Sequence, residues 1–63
     1  MMHINNLRYN ERLRAFEASV DIVRDGRTYR YPCEVFGPAS LSPSFVVASL
    51  HNRARRMSDT TRH

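Results

Sequence analysis

Hydrophobic and polar residues alternate on both sides of an Asp25-Gly26 pair, and this pattern predicts a β-hairpin. Asp-Gly favours a two-residue type I′ turn, because both central residues of that turn need a positive φ angle. One face of this hairpin then collects the apolar and aromatic residues Phe16, Ala18, Val20, Ile22, Tyr29, Tyr31, Cys33 and Val35. Polar residues collect on the other face with Pro32, whose missing N–H would point away from the partner strand. The register predicts a hairpin over residues 16–36 whose second strand is a sheet edge.

A helix over residues 11–24 is the competing interpretation. Four apolar residues recur there near helical spacing: Leu13, Phe16, Val20 and Val23. The β-branched residues in the second half of this segment, and the matching alternation beyond Gly26, favour the hairpin. Residues 1–9 stay open between a third strand and an addition to the core.

A second element, a helix, is predicted over residues 43–57. Ser42 is a good N-cap residue, and Pro43 suits the first helical position because its N–H is not needed there. The predicted apolar stripe consists of Val46, Val47, Leu50, Ala54 and Met57. The sequence thus predicts a single α+β domain over residues 1–57, of ββα order, in which the antiparallel hairpin packs against one C-terminal helix. Residues 58–63 are expected to form a flexible tail.

The length of the chain bounds its stability. It has 63 residues and one cysteine, Cys33, so an intrachain disulfide is impossible. Domains of about 60 residues bury only about 60% of the surface of the unfolded chain, and many gain stability by oligomerisation. We therefore expect a homodimer, with the edge of strand Ala15–Val23 or the helix stripe as its seam. The lone cysteine, and the lack of an apolar leader or membrane-length apolar run, predict a cytoplasmic protein with no membrane partner.

Positive charge is concentrated near the C-terminus. All ten basic residues are arginines, and residues 53–63 hold four of them against one aspartate, a net charge of +3. Residues 1–52 hold six arginines against five acids, a net charge of +1. Arg53, Arg55 and Arg56 fall at the end of the predicted helix, where they suit nucleic-acid phosphates, an acidic protein surface, or the helix macrodipole alone.

Residues with catalytic or metal-binding chemistry are few and poorly spaced. Cys33 and His51 lack a third orienting group, and the histidines show no metal-ligand spacing with Cys33. Glu17 and Glu34 should face each other on the polar side of the hairpin, where solvent and nearby arginines would screen them. We expect no catalytic residues, no metal, no cofactor and no small-molecule substrate.

Two tyrosines of the second strand also bear on function, because nucleic-acid platforms combine aromatic and basic side chains. Tyr29 and Tyr31 fall on the apolar face, opposite to Arg30, so we expect them in the core. The predicted function is a small basic, non-enzymatic, homodimeric module that contacts nucleic-acid phosphates through the arginine-rich helix end. The alternative is a protein–protein interaction module, an adaptor or inhibitor, that uses its sheet edge or helix face and whose charge is only structural.

Overall fold

The computed structural model describes residues 2–60 as one antiparallel sheet and one helix. The elements are β1 (Met2–Asn10), β2 (Ala15–Arg24), β3 (Arg27–Phe36) and α1 (Pro43–Thr60). The strand order is β1-β2-β3, and α1 packs against β2 and β3. The α+β class, the hairpin and the single C-terminal helix are confirmed. The segment left open, residues 1–9, contributes residues 2–9 to a third strand that ends at Asn10, and the helical interpretation of residues 11–24 was wrong.

The β2–β3 hairpin has the predicted turn and register. Asp25 and Gly26 adopt φ angles of 51° and 75°, as a type I′ turn requires. Ile22 lies opposite Tyr29, and the register continues without a shift to the far end of both strands. As predicted, β3 is an edge strand.

Strand β1 contains a β-bulge, and the bulge explains why its sequence pattern is ambiguous. The register shifts between Asn5 and Arg8, and Asn6 has a φ angle of 56°. Ile4 packs on the core, whereas Tyr9 lies beyond the bulge with its ring centroid 4.8 Å from that of Phe16. In an uninterrupted strand, residues 4 and 9 would point to opposite faces. The extra residue brings both side chains to the same face. It also interrupts the alternation of apolar and polar residues along β1, so the sequence does not show a continuous strand pattern.

The core lies between the sheet and α1. It contains Ala18, Val20, Ile22, Cys33, Val35, Val46, Leu50 and Ala54. The expectation of two core tyrosines was half right, because Tyr31 is half-buried and packs on the core whereas Tyr29 is 41% exposed. Tyr29 lies on the outer strand, close to the hairpin turn.

Helix α1 begins as predicted and ends later. The backbone N–H of Phe45 donates to Ser42 Oγ at 3.4 Å, which makes Ser42 the N-cap. The helix continues three residues past the predicted end, to Thr60, so residues 58–60 are not a tail. Ser58 is only 1% exposed and lies one turn after Ala54, which extends the buried stripe. Residues 61–63 of the predicted tail lie outside the described residues.

The two predicted dimer seams are occupied within the monomer. Strand β1 pairs with the edge of Ala15–Val23 that a second copy was expected to use. The helix stripe is buried against the sheet of its own chain. Both seams were therefore wrong, and dimerisation itself stays a prediction.

Candidate nucleic-acid interface

A groove of about 490 Å³ runs between α1 and the edge strand β3. Its walls come from the end of β3 and from one side of the helix. The lining residues are Val35, Phe36, Phe45, Ser49, Asn52, Arg53, Arg56 and Met57. The groove is therefore lined by aromatic, polar and apolar residues together with two arginines.

One side of α1 lines the groove because the lining residues recur at helical spacing. Residues 45, 49, 52, 53 and 56 recur three or four positions apart and so lie on one side of α1. The neighbouring side carries Val46, Leu50 and Ala54, which are buried against the sheet. Burial of that stripe fixes the rotation of the helix about its axis. The groove-lining side must then face the edge of β3.

The three arginines predicted as the site do not lie together. Arg53 and Arg56, three residues apart, both line the groove. Arg55 is exposed but is not among the lining residues, because one residue corresponds to about 100° of rotation around a helix. The groove brings together two of the three predicted residues.

The guanidinium groups in the groove have no carboxylate partner within the described part of the chain. Three ion pairs form in residues 2–60, namely Arg8–Glu17, Arg24–Asp59 and Arg30–Asp21. None of them includes Arg53, Arg55 or Arg56. Both groove arginines are exposed, so they are available to an anion from solution.

The helix macrodipole gives a weaker account of these arginines than the predicted helix end implied. With α1 ending at Thr60, its last turn contains no basic residue. Favourable interaction with the dipole falls off within the last turn. Arg53 and Arg56 therefore lie before the last turn, where their interaction with the helix macrodipole is weak.

Cys33 lies close to Arg53 but is not a reactive thiol. Its side chain is 2% exposed, and this burial raises the pKa of the thiol, whereas the nearby positive charge of Arg53 acts in the opposite direction. Burial is the larger effect, so the thiol stays protonated at neutral pH. Cys33 packs as a small apolar residue opposite Ala18.

The sequence interpretation missed the aromatic part of the groove. Phe45 is 53% exposed in the first turn of α1, and Phe36 is 61% exposed at the end of β3. Phe45 lies eight residues before Arg53, and this spacing could have placed both on one side of the helix. No sequence signal places Phe36 at the same groove, because its position there depends on how α1 lies across the sheet.

The sheet face opposite α1 carries charges that neutralise one another. The register places Glu17 opposite Glu34, as predicted, and Arg8 Nε lies 3.5 Å from Glu17 Oε1. A shallow depression of about 750 Å³ there is lined by one arginine and two glutamates, so it has no excess positive charge. Over the stretch from Met2 to Thr60, no three potential metal ligands cluster.

Comparison with known proteins adds no assignment. No protein-family model, curated protein or solved structure matches this chain significantly. Between residues 2 and 60, no helix combines the length and apolar character that crossing a membrane requires.

Proposed function

We propose that this protein is a small non-enzymatic module that binds nucleic acid through the groove between α1 and β3. The observation that carries the proposal is the pair Arg53 and Arg56, two exposed guanidinium groups in one groove with no ion-pair partner within residues 2–60. Arginine suits phosphate because its planar fork of N–H donors matches the geometry of phosphate oxygens. A net charge of +4 would add attraction at longer range.

The proposal changes the predicted roles of the three arginines. Arg53 and Arg56 are the direct phosphate contacts. Arg55 lies outside the groove, so its predicted contact is expected to be peripheral. Sequence preference should be weak, because phosphate contacts position a protein without reading bases.

The salt dependence of binding tests the proposal. Two phosphate contacts per protomer imply a slope of log affinity against log salt of about −1.4 on single strands and about −1.8 on duplex DNA. Fluorescence anisotropy with labelled oligonucleotides at low salt measures this slope. Arg53→Ala and Arg56→Ala should each remove one phosphate contact and so flatten the slope by about 0.7 on single strands and about 0.9 on duplex DNA. Arg53→Lys keeps the positive charge and should preserve most of the slope.

Matched controls come from the paired arginines of the open sheet face. Arg8→Ala and Arg30→Ala remove the same charge from the molecule but leave the groove unchanged. If these controls flatten the slope as much as the groove variants do, binding depends only on net charge and the groove is not the site.

A protein partner is the second candidate, and one observation favours it. In the described residues, nothing pairs with the outer edge of β1, whereas the other edge of the sheet is interrupted by Pro32. An added strand, either from a partner or from a second copy, would pair with β1.

We therefore propose that the homodimer forms through this edge of β1. Sedimentation equilibrium at micromolar concentration should show a dimer, and a monomer at millimolar concentration would refute it.

A further inference from the structure

Two exposed phenylalanines share the groove with the two unpaired arginines. Single exposed apolar residues are common on protein surfaces and need no explanation. Phe36 and Phe45 differ because both are more than half exposed and both line one groove. A chain of 63 residues has little apolar material for its core, so leaving two of its three phenylalanines largely in water is costly.

We infer that the groove binds single-stranded nucleic acid, with a base stacked on Phe45 and the backbone phosphates held by Arg53 and Arg56. This inference rests on the proposed function and specifies its ligand. Proteins that bind single strands combine a positive groove for the backbone with aromatic side chains for the bases. Phe45, Arg53 and Arg56 line the groove from α1, and Phe36 lines it at the end of β3. Alternation along β3 directs the Phe36 side chain away from the face of Val35, so Phe45 is the stacking surface.

The spacing along α1 suits a strand lying lengthwise in the groove. Phe45 precedes Arg53 by eight residues, a rise of about 12 Å along the helix axis. Arg56 lies about 4.5 Å further on. The aromatic end and the basic end are therefore separate, so a base and the phosphate of a nearby nucleotide can be bound at the same time.

Other occupants fit the groove less well. A duplex keeps its bases stacked on each other, and exposing one to a phenylalanine ring costs a few kcal/mol. A second copy of this chain also carries a net charge of +4 and would bring positive charge toward Arg53 and Arg56. An acidic peptide satisfies the arginines but gives no role to the exposed Phe45 ring.

The test compares an aromatic and an apolar truncation on single and double strands. Phe45→Ala should weaken binding of an oligothymidine of about 12 nucleotides by about 5- to 150-fold, the equivalent of one lost stacking contact. Its salt slope and its affinity for duplex DNA should stay unchanged. The matched control is Leu13→Ala, which truncates a 46% exposed side chain in the β1–β2 loop and should leave binding unchanged. Circular dichroism checks that both variants fold.

Phe45→Trp gives a direct readout of stacking. The chain contains no tryptophan, so this indole would be the only tryptophan fluorophore. Its emission should be quenched by the single strand and not by the duplex, since only the single strand offers a base to stack.

The outcomes separate the inference from the proposed function. If the arginine variants weaken binding but Phe45→Ala does not, stacking is wrong and phosphate binding stands. Equal loss on single strands and duplex after Phe45→Ala also overturns stacking. If the unaltered protein at micromolar concentration binds neither nucleic acid, both ideas fail. Binding of polyglutamate that is lost in Arg53→Ala, without oligothymidine binding, would assign the groove to an acidic protein partner.

Discussion

The open face of the sheet and the groove beside α1 each carry two arginines, and within residues 2–60 the groove arginines are unpaired whereas those of the open face are not. On the open face, Arg30 Nε donates to Asp21 Oδ1 at 2.9 Å and Arg8 lies against Glu17. In the groove, Arg53 and Arg56 have no such partner within residues 2–60. The same residue type is thus neutralised on one surface and available on the other.

The difference comes from the neighbours that each secondary structure supplies. In the sheet, register places Asp21 directly opposite Arg30, so the ion pair follows from strand pairing. On a helix, the nearest partners lie three or four residues away. Arg53 has Ser49 and Met57 at four residues, and neither is acidic. Arg56 has Asn52 and Thr60 at four residues and Asp59 at three, but the Asp59 carboxylate accepts a hydrogen bond from Arg24 at 3.0 Å. A count of arginines therefore says less about function than the position of each carboxylate.

The largest expected effect comes from removing the support of the groove's helical wall. Leu50 is fully buried between α1 and the sheet, so Leu50→Ala should lower the free energy of unfolding by about 2–5 kcal/mol. A domain of this length has a total stability of about 3–9 kcal/mol, so both regions would be lost together. Urea denaturation followed by circular dichroism measures the change. Leu13→Ala, which truncates an exposed leucine, should change stability by less than about 0.5 kcal/mol.

The next effect concerns the turn that sets the register of the open face. Gly26 has a φ angle of 75°, and a Cβ added there would have open space around it, so a substitution is strained by conformation alone. Gly26→Val should cost at least about 1–2 kcal/mol, because a β-branched residue resists the left-handed region. Gly26→Asn is the control and should cost less, since asparagine tolerates positive φ. Equal costs in thermal unfolding would show that the turn conformation is not what matters.

The same turn shows what sequence alone could predict. A period of two residues on each side of Asp25-Gly26 determines every pair of the β2–β3 hairpin. Strand β1 has no such continuous period, because the bulge at Asn6 changes the face on which Tyr9 lies. The end of α1 was missed because Ser58, a polar residue, continues the buried stripe. Local periodicity is readable in a sequence, whereas a bulge or a buried polar residue interrupts it.

The candidate site divides in the same way. Arg53 and Arg56 could be proposed from charge alone, because they stand in the basic part of the chain. The separation of Arg55 from them follows from helix rotation, which depends on the stripe that packs against the sheet. Phe36 joins the site only through the tertiary contact between β3 and α1.

A smaller effect should follow from unpairing one arginine of the open face. The pKa of Asp21 is lowered from its ordinary 3.8, mainly by hydrogen bonds from Arg30, while partial burial opposes the shift and Asn5 adds to it. This carboxylate therefore stabilises the fold above about pH 3.8, and the contribution is lost as the pH falls through the lower, folded-state pKa. Asp21→Asn should be less stable than the unaltered chain at pH 7, and this difference should shrink as the pH falls below 3.8. Urea denaturation over a series of pH values measures this, and a difference that does not shrink would contradict it.

Asp21→Asn also tests the comparison of the two surfaces. Without the carboxylate, Arg30 has no charged partner on the open face. If the ion pair is what keeps Arg30 from binding phosphate, the slope of log affinity against log salt for duplex DNA should steepen by at most about 0.9, the value for one phosphate contact. An unchanged slope would mean that the position of Arg30, and not its ion pair, keeps it from phosphate.

The smallest effect is expected at Arg55, which belongs neither to the paired arginines of the open face nor to the arginines of the groove. It is exposed like Arg56, but it is rotated by about 100° around the helix and does not line the groove. Asp59 is a helical neighbour of both arginines, but its carboxylate accepts a hydrogen bond from Arg24 at 3.0 Å, so the position on the helix is what separates Arg55 from Arg56. Arg55→Ala should therefore leave the salt slope of oligothymidine binding almost unchanged and lower the affinity by less than about twofold through net charge alone. Arg56→Ala removes the same charge one residue away and should flatten the slope by about 0.7. Equal flattening by the two variants would place the phosphate path over the outer side of α1, outside the groove.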